Sequence, residues 1–212
     1  MTSNVSNPLA EYLGHPALYE STLRYMTYLR NKQAEDLGME ARHVTNLSLR
    51  RQYIQQLAAD FHLVMITEFF DESLVLLRRL LCWDVQDVLY LPKNRNHLKK
   101  ERTFSAEHRR QHRLLSIADY DLYHYFYQRF ILTMKSQEPD FQEEVSYFKE
   151  LLGHVQTQCV QEGEVTVNRS QWHAQFTLTR RDCQLMQQSE LPFLDDIIMD
   201  ALMRYHLSVK NN

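Results

Sequence analysis

The chain of 212 residues carries 24 Lys and Arg against 27 Asp and Glu, a formal net charge of -3, and 44% of its residues are hydrophobic. This length and apolar content suffice for one buried core, so we predict a single domain over residues 1–212. The negative charge argues against a nucleic-acid-binding protein that relies on net positive charge, and the four glycines form neither a Walker loop nor a Gly-x-Gly-x-x-Gly motif.

The amino-terminal residues show no basic segment followed by an apolar stretch, and no long apolar run occurs in the chain. We therefore expect neither a signal peptide nor a membrane span within these residues, and a targeting segment of a secretory protein would precede Met1. Sequons at Asn4, Asn46 and Asn168 are candidate N-glycosylation sites if the chain enters the secretory pathway.

Two helices are predicted in the first 60 residues. The first covers about residues 16–31, because Pro16 suits a first helical turn and apolar residues follow at helical spacing. Gly38 is a plausible stop signal. The second helix begins near Ser48 and places Ile54 and Leu57 on its apolar face.

The pattern then changes to one typical of a parallel sheet. Residues 61–67 form an apolar run rich in β-branched and aromatic residues, which predicts a buried strand, and residues 87–91 predict a second strand. The intervening segment predicts a helix that Asp71 caps and whose positive end Glu72 complements. Strand, helix and strand in this order make a βαβ unit, so the predicted fold class is α/β, helix-rich with a partial parallel sheet.

Residues 92–113 carry eight Lys or Arg and two Glu, a local net charge of 8 minus 2, or +6. Because this segment follows the carboxyl end of a predicted parallel strand, where open sheets bind ligands, we expect an anion site there. A solvated basic loop is the alternative interpretation. The candidate ligand-binding residues are Lys93, Asn94, Arg95, Asn96, Lys99 and Lys100.

Glu68 closes the first predicted strand, at the sheet edge where sites gather. It is a candidate for orienting an acceptor hydroxyl or for acting as a catalytic base. An ordinary carboxylate in the first turn of a helix explains Glu68 equally well.

The cysteines and histidines do not predict a metal site. Cys82, Cys159 and Cys183 fit no metal-ligand spacing, and arginines crowd the pair His108 and His112, so we expect no metal. Cys82 lies in an apolar run and is predicted to be a buried thiol. Cys159 and Cys183 could pair in an oxidising compartment.

The remainder of the chain predicts three helices. Ser116 and Asp119 form a capping pattern ahead of an apolar face. Two further helices are expected over about residues 141–159 and 191–206, with a polar connector around Gly163.

The segment FHLVMITEFFDESLVLLRRLLCWDVQDVLYLPKN resembles the galactose 3-O-sulfotransferase family, and EYLGHPALY, LRNKQAEDLG and ADYDLYHYFYQRF extend the resemblance over nearly the whole chain. The resemblance implies transfer of a sulfuryl group from 3′-phosphoadenylyl sulfate (PAPS) to the 3-hydroxyl of a terminal galactose, on a glycolipid or glycan, in the Golgi lumen. It also implies a P-loop-like sulfotransferase fold, of which this chain is the carboxy-terminal part. The basic loop after residue 91 is similar to the family's own loop at that place.

The chain departs from the family pattern in one respect. The family's donor-binding elements, a Lys-Thr-rich loop and an Arg-Asp-Pro-type segment, have no counterpart here and would precede Met1, as would the family's membrane anchor. Because sulfuryl transfer needs cations that stabilise the leaving phosphate oxygen, we expect the 212 residues alone to be inactive.

Two other functions stay open from the sequence. The first is a non-catalytic short isoform or pseudoenzyme that binds glycan or a full-length partner. The second is a helical protein that uses residues 93–113 on nucleic acid or an anionic membrane. Phe104 is the one aromatic residue in that stretch, so it lacks the stacking platforms of a single-strand binder and we expect no nucleic-acid partner.

Overall fold

The computed structural model of the chain describes residues 7–20, 27–93 and 104–210. These residues form mainly helices, and the chain divides into two compact units. The first unit comprises residues 1–68 and 96–136, and the second comprises residues 69–95 and 137–212. The elements of the described residues are, in chain order, α1 (Pro8–Gly14), α2 (Lys32–Asp36), α3 (Ala41–Thr45), α4 (Leu47–Asp60), α5 (Phe70–Leu81), α6 (Ala106–Leu115), α7 (Ile117–Lys135), α8 (Phe141–Gln161), β1 (Val165–Val167), β2 (Phe176–Leu178), α9 (Arg180–Gln187) and α10 (Glu190–Lys210).

The first unit is built around α4 and α7, which pack against each other. Helix α4 buries Ile54 and Leu57, as the sequence predicts, and α7 buries a row at every fourth position that includes Leu122 and Phe126. The buried Arg50 ties the two helices together, because its Nε donates to Asp121 Oδ2 at 2.7 Å. Helices α2 and α1 pack against α7 and α6, respectively.

The second unit is organised around α8. This helix buries Phe141, Phe148 and Val155 at spacings of seven residues, and α5 packs against it. Strands β1 and β2 form an antiparallel hairpin with Val165 opposite Leu178. A disulfide between Cys159 and Cys183, with a Cα–Cα distance of 5.3 Å, joins α8 to α9. The pairing that the sequence leaves open is therefore present.

The predicted βαβ unit is absent from the described residues. Residues 61–66 have no helix or strand and lead into a 3-10 turn at Thr67–Phe69, and residues 85–88 form another 3-10 turn. Both strand predictions are wrong. A parallel strand needs neighbours for its backbone groups, and β1 with β2 is the one ladder in the part of the chain that the structure describes. Phe61 and Met65 are exposed, which a buried strand would not allow.

Local capping explains the second of these errors. Asp84 opens the 3-10 turn Val85–Val88 with a capping box, in which its backbone N–H donates to Asp87 Oδ2 at 2.9 Å. Val88 and Leu89 are buried, so their apolar character reflects core packing of a turn. Apolar runs of this length do not distinguish a strand from other buried segments.

The predicted helix over residues 16–31 is also wrong where it can be checked. Pro16–Leu18 is a single 3-10 turn, and Thr27 pairs with Arg30 in an isolated antiparallel bridge. The intervening residues 21–26 lie outside the described residues. The predicted stop is confirmed, because Gly38 has a φ of +82° just after α2.

Three residue-level predictions need correction. Asp71 lies in the first turn of α5, but Phe69 is the N-cap residue, and Asp71 Oδ1 instead accepts from the Tyr90 hydroxyl at 2.9 Å. Ser116 occupies the N-cap position of α7 without a side-chain cap bond. Cys82 is exposed, and it is the C-cap residue of α5 with a left-handed φ of 53°.

The three predicted carboxy-terminal helices are confirmed and correspond to α7, α8 and α10. The region around Gly163, expected to be a polar connector, instead contains the hairpin and α9. None of the described helices combines the length and the apolar character needed to cross a bilayer.

Candidate functional site

Glu68 contacts the hydroxyl of a tyrosine in the first unit. It lies in the turn Thr67–Phe69 and is exposed, and its Oε1 accepts from the Tyr123 hydroxyl at 2.7 Å. This hydrogen bond, with a smaller contribution from burial, raises the pKa of Tyr123 to about 12. A carboxylate has several lone-pair sites, so Glu68 can accept this bond and another from a ligand hydroxyl.

Tyr123 borders a cleft of ≈ 370 Å³ in the same unit. One wall comes from the segment before and within α2, and the other comes from α6 and the first turns of α7. The volume lies in the range of small-molecule sites. The lining residues are Tyr28, Leu29, Arg30, Lys32, Gln33, His112, Ser116, Asp119, Tyr120 and Tyr123.

The two walls of the cleft are joined by a reciprocal pair of polar contacts. Asn31 is buried with a left-handed φ of 52°, and its amide donates to the Leu115 carbonyl at 3.0 Å and accepts from the Ala118 N–H at 2.9 Å. In return, Asp119 Oδ1 accepts from the Ala34 N–H at 2.8 Å, at the start of α2. Both side chains therefore bond to the opposite wall and join the two walls of the cleft.

The charged groups that line the cleft include Arg30, Lys32 and Asp119. Burial raises the pKa of Asp119, against the opposing effect of the backbone N–H groups at the start of α2. Hydrogen bonds to Asp36 and then Glu35 raise the pKa of Lys32, whose ammonium lies 2.6 Å from Asp36 and 3.2 Å from Glu35. The cleft therefore offers donors and acceptors of both charge signs, with Lys32 already paired outside the cleft lining.

The aromatic side chains of the cleft have polar partners. The Tyr120 hydroxyl lies 3.0 Å from Nδ1 of His112, and the guanidinium of Arg113 lies 5.2 Å from the centre of the Tyr120 ring. Tyr28 is 90% exposed, with the Lys32 ammonium 5.2 Å from its ring centre. The surface is thus aromatic and rich in hydrogen-bonding groups.

The predicted anion loop falls mostly outside the described residues. Lys93 is exposed in the second unit, and its ammonium donates to the backbone carbonyl of Gln188. The remaining candidates, Asn94, Arg95, Asn96, Lys99 and Lys100, lie in the range 94–103, which the structure does not describe. Because residues 87–91 form no strand, the sheet-edge argument for this site is wrong, and the site stays a prediction from family resemblance.

The histidine pair and the sequons can be placed in part. His108 Nδ1 lies 3.4 Å from the Ser105 N–H in the cap of α6, and no group of three or more metal-ligand side chains occurs among residues 7–20, 27–93 and 104–205. Asn46 and Asn168 are exposed, whereas Asn4 lies outside the described residues. Asn46 Oδ1 caps α4, and a glycan attaches to the amide nitrogen, so the two roles are compatible.

The sequence pattern did not identify Tyr123 as a site residue. A signal was available: Leu122, Phe126 and Phe130 recur every fourth residue and define the buried stripe, so Tyr123 and Tyr127 belong to the next stripe. Asn31 gave no such signal, because its role depends on contacts with residues more than 80 positions away.

The family model described as galactose-3-O-sulfotransferase matches residues 1–180. The chain belongs to this family. No solved structure matches the chain.

Curated relatives of the chain are named galactosylceramide sulfotransferase or galactose-3-O-sulfotransferase. The chain is 33% identical over 158 residues to galactosylceramide sulfotransferase of Mus musculus, covering 74% of this chain and 37% of that protein. It is 30% identical over 171 residues to galactose-3-O-sulfotransferase 2 of Sus scrofa, covering 77% and 42%. It is 44% identical over 80 residues to galactose-3-O-sulfotransferase 3 of Homo sapiens, covering 37% and 19%. The chain spans less than half of the length of each of these relatives.

Proposed function

We propose that the chain is part of a carbohydrate sulfotransferase that transfers the sulfuryl group of PAPS to the 3-hydroxyl of a terminal galactose. The observation that supports this function is the family match over residues 1–180, together with relatives named for galactosylceramide and galactose. The acceptor is a galactose-terminated glycolipid such as galactosylceramide, or a glycan. The complete protein acts in the Golgi lumen.

Within this proposal, Glu68 orients the acceptor hydroxyl or accepts its proton. Sulfuryl transfer resembles phosphoryl transfer, in which catalysis is mostly in-line positioning and stabilisation of the charge on the leaving oxygen. Glu68 is exposed and accepts a hydrogen bond from Tyr123, which lines the cleft. The cations that hold the donor include those of the basic segment, Lys93, Arg95, Lys99 and Lys100, with the amides of Asn94 and Asn96 as hydrogen-bonding partners.

The 212-residue polypeptide by itself is proposed to be inactive. It contains no Lys-Thr-rich loop of the kind that holds the donor in the family. Each positioned hydrogen-bond donor that stabilises a transition state contributes about 3 kcal/mol. A polypeptide without the whole Lys-Thr-rich loop therefore loses most of the rate enhancement. A galactoside can still bind, since acceptor contacts do not require the donor loop.

The test has two parts. The transcript is first sequenced upstream of Met1, and the complete protein is then incubated with labelled PAPS and galactosylceramide, with the 212-residue chain assayed beside it. We expect the complete protein to place sulfate on the galactose 3-hydroxyl and the shorter chain to place none.

Three results would overturn parts of this proposal. Transfer by the 212-residue chain alone would show that it is complete enough for catalysis. A complete protein that transfers sulfate to no galactose-terminated glycolipid or glycan would refute the function. A transcript whose reading frame begins at Met1, with galactoside binding but no transfer, would favour a non-catalytic glycan-binding isoform.

A further inference from the structure

The cleft of the first unit has the features of a sugar-binding site. Two of its tyrosines present exposed ring surface, with Tyr28 90% exposed and Tyr123 39% exposed. A tyrosine ring offers a flat apolar face and a polar hydroxyl, which matches a pyranose that has an apolar face and a rim of hydroxyl groups. Tyrosine also supplies contact area at low cost in side-chain entropy.

The charged groups that line the cleft are of both signs, and its cations are Lys32 and Arg30. The ammonium of Lys32 is already paired with Asp36 and Glu35. The carboxylate of Asp119 lines the same cleft, and Glu68 lies beside it through Tyr123. A phosphate or sulfate would meet these carboxylates as well as the Arg30 guanidinium. A polyhydroxylated ligand can donate to the carboxylates and accept from the Gln33 amide and the Tyr28 hydroxyl.

The cleft is also held in shape before any ligand arrives. The contacts of Asn31 with Leu115 and Ala118, and that of Asp119 with Ala34, fix the wall that carries Tyr28 against the wall that carries Tyr123. A preformed site loses less conformational entropy on binding.

We propose that this cleft binds the terminal galactose of the acceptor, with the pyranose against Tyr28 and Tyr123. The identity of the sugar rests on the proposed function, whereas the position of the site rests on the cleft itself. The Tyr28 ring contacts the apolar face of the pyranose. The Tyr123 hydroxyl holds Glu68 at the edge of the cleft, beside the sugar hydroxyls.

The experiment titrates the 212-residue chain with methyl β-galactopyranoside and follows the backbone amide signals by NMR. Tyr28→Ala is the test variant, and Tyr205→Ala is the control, because Tyr205 is 65% exposed on α10 in the second unit. An aromatic contact of about 1.4 kcal/mol corresponds to a tenfold change in affinity. We therefore expect Tyr28→Ala to weaken binding by about tenfold, and Tyr205→Ala to leave it unchanged.

Several results would overturn the proposal: no saturable galactoside binding, equal affinity for the wild type and Tyr28→Ala, or equal weakening by Tyr205→Ala. Displacement of the sugar by adenosine 3′,5′-bisphosphate would also overturn it, since the cleft would then be a donor site. Far-UV circular dichroism confirms that each variant is folded.

These readouts separate the cleft from the proposed reaction. Galactoside binding that depends on Tyr28, in a protein whose complete form transfers no sulfate, would retain the site and refute the reaction. Sulfate transfer by the complete protein with an unchanged KM for the galactoside in Tyr28→Ala would retain the reaction and refute the site.

Discussion

Glu144 illustrates how single side chains stabilise the second unit. It is buried on α8, and its carboxylate accepts from Arg78 and, at 2.6 Å, from Nε of Arg79. Arg79 also donates to Asp140 at 2.9 Å. Burial lowers the pKa of Arg79, but the hydrogen bonds to Asp140 and Glu144 outweigh it and the net shift is upward. Both arginines lie in the last turn of α5, where cations complement the helix dipole, and their partners on α8 come only from tertiary packing.

We expect Glu144→Gln to destabilise the protein by about 3 kcal/mol, because a neutral amide cannot compensate two partly buried guanidinium groups. Urea denaturation measures the free energy of unfolding of each variant. The control is Glu143→Gln at the exposed neighbouring position, where we expect a change of about 0.5 kcal/mol or less. Equal stabilities of the two variants would show that the Glu144 pairs contribute nothing.

Tyr123 provides a second prediction at the residue scale. Its phenol should titrate near pH 12, because the hydrogen bond to Glu68 favours the neutral form. In Glu68→Gln, the pKa of Tyr123 should fall toward 10, which is the ordinary value for tyrosine. Tyrosine ring signals in NMR report the titration.

Tyr12 is the internal control for this titration. Burial, and then its hydrogen bond to Glu20, raise the pKa of Tyr12 to about 12, and neither depends on Glu68. The pKa of Tyr12 should therefore stay the same in Glu68→Gln. A pKa near 10 for Tyr123 in the wild-type protein would contradict the Glu68 contact.

At the scale of elements, helix α4 depends on its cap. Asn46 Oδ1 accepts from the N–H groups of Ser48 at 3.0 Å and Leu49 at 3.1 Å. We expect Asn46→Ala to cost about 1 kcal/mol of stability. The control variant Asn46→Asp removes the glycosylation sequon and keeps the cap, so its thermal unfolding should resemble that of the wild type. A loss of stability as large as in Asn46→Ala would exclude capping as the cause.

The link between α8 and α9 depends on the disulfide. Cys159 and Cys183 are 24 positions apart and both are buried. Replacement of both by Ala should cost about 3 kcal/mol in the free energy of unfolding, because the disulfide restricts the unfolded chain. Cys82→Ala, at an exposed free thiol, should have little effect, and a thiol assay on the wild type should find one reactive cysteine in place of three.

The elements also show what local sequence can predict. Helices α4, α7, α8 and α10 were predictable, since each is long and has an apolar face or good helix formers over several turns. The errors at 61–67 and 87–91 arose because a strand is defined by its neighbours, which a short apolar run does not encode. The hairpin around Gly163 was missed because its three-residue strands are too short for an alternating pattern.

For the whole molecule, the family assignment and the position of the candidate site rest on different observations. The family follows from long matching segments, which the sequence alone contains. The cleft follows from contacts between residues 28–34 and 112–123, which only the folded first unit brings together. The anion site of the basic segment at residues 93–100 stays a prediction, since the described residues stop at Lys93 on that side.

Sulfate transfer by the complete protein tests the central claim most directly. The product formed from labelled PAPS and galactosylceramide is digested and its linkage is determined by mass spectrometry. We expect sulfate on the 3-hydroxyl of galactose, formed by the complete protein and lost in Glu68→Ala. Sulfate on another position, or no transfer to any galactose-terminated acceptor, would contradict the assignment of this chain to a galactose 3-O-sulfating enzyme.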